Sequence, residues 1–209
     1  MMMKPRTLSA FCLTLVLLVG AALPSLAKEE KVTLPERALG KADAPVLIEE
    51  YASFTCSHCT VFNSKVFPKI EEKYINTGKV RWIYHDFPLD GVGLKASALA
   101  QCMPKDSYFP FLKILSNNFD TWIRSTNHEA TLQQYAQMAG LPAEKAKVCI
   151  EDTAMMDAIV AERTKAIETL DIKATPTFVI NKGADIVLGH QSFAEFSAMI
   201  ERHLAAKKK

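Results

Sequence analysis

The chain has 209 residues, 49% of them hydrophobic, with 25 lysines and arginines against 23 aspartates and glutamates. A net charge of +2, which falls to zero once Lys4 and Arg6 are set aside, leaves no electrostatic footprint for nucleic acid or an anionic membrane surface. The length suits one domain with a sizeable core.

Residues 1–27 have the three parts of a secretory signal. Lys4 and Arg6 lead into an apolar stretch from Leu8 to Leu23, and Ser25-Leu26-Ala27 supplies the small residues of a cleavage site. The apolar stretch is shorter than the roughly 18–20 residues of a spanning helix, which weighs against an anchor. The expectation is a periplasmic protein cleaved after Ala27, with residues 28–209 forming a single domain.

The first expected strand is "VLIEEY", residues 46–51. "FTCSHC" follows, and then a helix whose Phe62, Val66, Ile70 and Tyr74 recur every four residues as a buried stripe. Pro68 should kink that helix and Gly78 should end it. A second strand spans "VRWIYHDFP", residues 80–88, completing a β-α-β unit.

From about residue 89 to 170 the pattern is helical. "GLKASALAQCM" and "SYFPFLKILSNNF" come first. "TLQQYAQMAG" opens on a Thr-x-x-Gln capping signature, and Pro142 suits the first turn of the next helix. The run over 154–170 should turn Met156, Ile159, Val160, Ile167 and Leu170 to one side. "TFVIN" and "DIVLG" then flank "KGA" as a hairpin, with Gly183 free to take a left-handed turn position. Ser192 and Glu195 form a capping box before a last helix ending in lysines. The fold class is therefore α/β: β-α-β, then β-β-α, with an α-helical insertion. Neither half has enough strands to stand alone.

Cys12 leaves with the signal, so Cys56, Cys59, Cys102 and Cys149 remain, and four cysteines allow three pairings. Outside the cytosol an even count reads as disulfides. Cys56 and Cys59 can close their own ring, leaving Cys102 for Cys149. Zinc is the competing reading of the two-residue spacing, but Cys102 and Cys149 do not form a second close pair.

A thiolate at a helix mouth feels unpaired N–H groups and the positive end of the helix dipole. Cys56 should therefore be an exposed sulfur of lowered pKa. Cys59, one turn further in, is shielded and placed to attack a mixed disulfide formed at Cys56. His58 can steady the thiolate by a hydrogen bond or, when protonated, by its charge. Stabilising the thiolate stabilises the reduced state, which makes the disulfide more oxidising. A structural staple gains little from so short a loop.

With these residues in view, the chain resembles the DsbA family of exported thioredoxin-fold thiol oxidoreductases. The likeness rests on "APVLIEEYASFTCSHCTVFNSKVFPKIEEKY", on the helical block and on "IKATPTFVIN". It implies a thioredoxin-like fold and a dithiol oxidase that passes the Cys56–Cys59 disulfide to newly exported cysteine-containing proteins. It implies that Pro176 is a cis-proline lying against the active-site cysteines and binding substrate backbone, with Thr175 lining the same groove. It makes Glu50 a buried acid relaying protons to Cys59; Glu49, its neighbour on the strand, faces the other way. It makes Cys102–Cys149 a structural disulfide known from one branch of the family.

No cofactor and no metal is implied. The recycling partner would be a DsbB-like membrane protein linked to quinone, and the short stretch before the first strand suggests a monomer. Ser57 stands where the best-known member has proline, and Thr175 where it has valine. Both touch the sulfurs, which leaves a disulfide isomerase or reductase as the alternative within the fold. A metallochaperone or binding module is the alternative outside it, but His85, His128, His190 and His203 lie at no ligand spacing from the cysteines.

Overall fold

A computed structural model describes residues 32–207; the expected signal sequence and its cleavage site lie outside them. Among the described residues no helix is long and apolar enough to cross a membrane.

The sheet contains β1 (Arg37–Leu39), β2 (Val46–Ala52), β3 (Val80–Asp86), β4 (Thr177–Ile180) and β5 (Asp185–Leu188), in the order β1-β3-β2-β4-β5. β2 and β3 run parallel, joined by a helical crossover, while β1 on β3, β4 on β2 and β5 on β4 are antiparallel. β1 is an addition to the elements expected from sequence, the first of which is the strand at residues 46–51. The β4–β5 hairpin turns through Asn181, Lys182 and Gly183 at positive φ, with Gly183 at +96°. All four residues of β4 are buried, whereas β5 alternates as an edge strand should.

The helix after Cys56 is not a uniform α-helix. It comprises α1 (Ser57–Val61), a π-helical turn (Phe62–Val66), α2 (Phe67–Ile70) and a second π-helical turn (Glu71–Ile75). Phe67 N–H bonds Phe62 O, and Asn76 N–H bonds Glu71 O at 2.9 Å, both five residues back. Pro68 has no N–H to continue an α ladder here, and the widened turn absorbs the defect where a kink was expected. It also answers the four-residue spacing. In an α-helix of 3.6 residues per turn such a stripe drifts around the barrel, while wider turns keep it in line. Phe62, Val66, Ile70 and Tyr74 are all buried.

That stripe meets the sheet and the last helix in an aromatic core. Phe62 lies 4.6 Å from Phe178 and 5.3 Å from Phe196, measured between ring centroids, and Trp82 closes the group.

The insertion holds α3 (Gly91–Gln101), α4 (Tyr108–Asn117), α5 (Phe119–Ile123), α6 (His128–Met138), α7 (Ala143–Cys149) and α8 (Thr153–Leu170). Three local expectations need correcting. Asn127, not Thr131, caps α6, accepting from Ala130 N–H at 3.1 Å. Pro142 sits at the N-cap of α7, one position before its first turn. Val160 is 40% exposed, because α8 turns Ala158, Ile159 and Ala166 inward and Val160 lies one step around from Ile159. The final helix, α9 (Phe193–Ala206), opens on the expected capping box of Ser192 and Glu195.

Candidate functional site

β2 ends at Ala52, and a short loop delivers Cys56 to the N-cap of α1 with φ −85° and ψ 116°. Gly93 near the start of α3 permits the insertion to close on this loop. A Cβ there would meet Thr55 Oγ1 at 2.9 Å and Ser53 Oγ at 3.2 Å.

At an N-cap, an oxygen of Ser, Thr, Asp or Asn usually accepts the free amides of the first turn. Here Cys56 Sγ takes that role, accepting from Cys59 N–H at 3.4 Å. The two cysteines are unbonded, so this is the reduced dithiol. The Cys56 thiol is lowered to about 5, chiefly by the hydrogen bond from the Cys59 thiol and against the opposing effect of burial. The Thr175 side chain and the N–H groups of Cys59 and His58 add to the lowering. The Thr175 carbonyl also lies 3.4 Å from the sulfur and can accept only from the protonated thiol. For the thiolate the useful group is the Thr175 hydroxyl, which is buried with no partner among the described residues.

Cys56 keeps 8% of its surface. The sulfur is thus not the openly exposed group expected from sequence, because the insertion and the Thr175 segment cover it. Cys59 is 1% exposed, and burial pushes its thiol far above the usual range, with the hydrogen bond and charge of Cys56 adding to the effect. The outer thiol is thereby made acidic and the inner one is kept protonated.

The peptide between Thr175 and Pro176 is cis, and Pro176 O accepts from Gly189 N–H at 2.8 Å. Glu50 is fully buried on β2, while Glu49 points the other way toward His85, 3.3 Å distant. Burial pushes Glu50 up to about 8, opposed by hydrogen bonds from Asn63 and Trp82; the charge on Cys56 adds to the rise. The His58 ring is exposed, and the His58 group acting on the sulfur is its backbone N–H.

Asn63 and Trp82 went unread in the sequence. Asn63 lies four residues after Cys59, hence on the same helical face, and that spacing was the available signal. His85 stacks on Tyr51 at 4.5 Å, and His128 bonds the Ile123 carbonyl at 3.1 Å. Among the described residues no group of His, Cys, Asp or Glu is placed to hold a metal ion.

Cys102 and Cys149 are joined, with Cα atoms 6.2 Å apart and a sequence separation of 47. The bond ties the end of α3 to the end of α7. For a loop of this length the chain-entropy account gives about 4 kcal/mol. Replacing both residues by alanine is expected to lower denaturant stability by roughly 2–4 kcal/mol while leaving the Cys56–Cys59 potential unchanged. A shifted potential would show that this bond is coupled to the dithiol.

A buried acid, an acidic thiol at a helix mouth and a shielded partner thiol on this sheet define a thioredoxin-fold dithiol protein. A sequence model of the thioredoxin family matches residues 33–202. Among solved structures, alpha-DsbA1 of Wolbachia pipientis superposes with a TM-score of 0.76 at 37% identity, covering 83% of this chain and 94% of that one. BdbD of Bacillus subtilis shares the fold with a TM-score of 0.67 at 24% identity, covering 81% and 93%. Disulfide bond formation protein D of Bacillus subtilis is 27% identical over 184 residues, 81% of this chain and 77% of its own length. A Rickettsia bellii relative named for protein-disulfide oxidoreductase activity is 27% identical over 179 residues, covering 85% of this chain. The chain spans 68% of that relative and 56% of its Rickettsia prowazekii counterpart. The chain belongs to the thioredoxin family and, within it, to the DsbA type of disulfide oxidoreductase.

Proposed function

We propose that this protein is an exported, periplasmic dithiol oxidase that acts as a monomer and gives its Cys56–Cys59 disulfide to newly translocated proteins. A client thiolate attacks Cys56 Sγ, forming a client–Cys56 disulfide and expelling Cys59 as its thiolate. Glu50, protonated in its buried site, hands its proton to Cys59 and is left as the carboxylate. A second client thiolate then attacks the client's own sulfur and expels Cys56. The client gains a disulfide, and the enzyme gains the two electrons and leaves as Cys56 thiolate and Cys59 thiol.

The observation that carries this reading is the N-cap position of Cys56 Sγ. It stabilises the thiolate that leaves in the last step, so the reduced enzyme is the favoured product. Thr175 and Pro176 lie beside the sulfur and would receive the client backbone. His58, exposed between the cysteines, would face the client. Reoxidation would fall to a DsbB-like, quinone-linked membrane protein.

Equilibration of Cys56 and Cys59 against glutathione tests the reading. The expected couple is far more oxidising than the about −270 mV of a cytosolic thioredoxin. A couple near that value would make the protein a reductase.

A further inference from the structure

Both oxygens of Glu50 accept hydrogen bonds: Oε1 from Asn63 Nδ2 at 3.1 Å and Oε2 from Trp82 Nε1 at 3.2 Å. That pattern fits a carboxylate, which only accepts. A protonated Glu50 has an O–H to donate, and the Trp82 indole cannot receive it. Asn63 Oδ1 can. It is buried and has no partner among the described residues, and Asn63 as a whole is 4% exposed. A half-turn about the last torsion of the amide exchanges Nδ2 and Oδ1 in front of the carboxyl group. Asn63 also lines a cavity of about 310 Å³ formed with Phe67, Pro68, Phe109 and Leu112, with Glu71 and Lys113 at its edge.

We infer that Asn63 is a positioning residue that serves Glu50 in both protonation states, donating through Nδ2 to the carboxylate and, once turned, accepting through Oδ1 from the acid. When Glu50 takes the proton of Cys59, the S–H bond breaks, an O–H bond forms and the negative charge passes to sulfur. The new O–H is the one that Oδ1 receives. The other titratable groups acting on Glu50 are Cys56 and Cys59 from the helical run, Tyr84 from β3 and Tyr108 from α4. The residue opposite it on β4 is the uncharged Phe178. The purpose of the switch rests on the proton-carrying role proposed for Glu50, but the switch itself can be followed in the reduced protein alone.

The test is an NMR pH titration of the reduced full-length protein, following the Glu50 carboxyl carbon and the Asn63 side-chain nitrogen. Both are expected to move with one midpoint, and the Asn63 response should vanish in Glu50→Gln. An Asn63 amide that stays still while Glu50 titrates overturns the proposal. Asn63→Leu keeps the bulk and removes both amide groups. The Glu50 midpoint should then rise, because an anion loses more than a neutral acid when a donor is withdrawn. The acid-to-anion ratio at fixed pH should increase about tenfold. An unmoved midpoint overturns the proposal equally. Neither measurement needs disulfide transfer, so the oxidase reading stands or falls separately.

Discussion

Alanine in place of Cys56 is expected to reduce disulfide transfer to a dithiol peptide to the uncatalysed background. Alanine in place of Cys59 also removes the transferable disulfide. Given the disulfide-linked dimer of a single-cysteine peptide, however, this variant is expected to accumulate an adduct. The Cys56 thiolate attacks the peptide disulfide, keeps one peptide sulfur and releases the other as thiol. The asymmetry follows from burial. Cys56 retains a small opening and an acidic thiol, while Cys59 is 1% exposed and held protonated. On the proposed mechanism Cys56 is the sulfur that meets a client, and Cys59 is the one that would resolve the resulting bond from within the enzyme. Peptide oxidation kinetics and non-reducing electrophoresis read the two outcomes. Adducts forming equally well in both variants would remove the distinction between outer and inner sulfur.

The second large effect is on stability against pH. The Cys56 thiol titrates near 5 in the folded protein against an ordinary value of 9.0. A depressed value adds stability where the folded state has released a proton that the unfolded state still holds. The gain is therefore absent below pH 5, grows as the pH rises from about 5 to 9 and is complete above that. At pH 7 it is on the order of 2 kcal/mol after discounting for solvent near the sulfur.

The oxidised protein has no thiol at this position and no such gain. Glu50 runs the other way, since its raised value removes stability as the pH climbs from 4.5 to about 8. It is present in both redox forms, so its main effect cancels in their difference. Denaturant unfolding of the two forms at several pH values should show the reduced form pulling ahead across that window. A constant difference would mean that the helix mouth does not hold the thiolate.

How much of this was legible beforehand varied with how local the determining physics is. The dithiol was legible because two cysteines at a helix start have few chemical uses, and the surrounding strand, helix and strand followed from short-range periodicity. β1 was not legible. Three residues carry no period, and Arg37–Leu39 become a strand only through pairing with Trp82–Tyr84, more than forty residues on. Cys56 read as exposed because covering it requires the Thr175 segment, which lies 119 residues away. Asn63 looked like an ordinary polar helix residue until the fold brought Glu50 against it. Val160 and Thr131 failed for a smaller reason, a shift of one or four residues in where a helix faces or starts.

The widened turns after Cys56 also carry a consequence for engineering. They spend more residues per revolution than an ideal rod needs, and so sacrifice local regularity for aim. Removing one residue to restore ideal winding would leave a better helix in isolation. It would also swing every side chain beyond the cut by about 100°, parting Ile70 and Tyr74 from the aromatic core. Within this rod, residue count is a pointing device before it is a length.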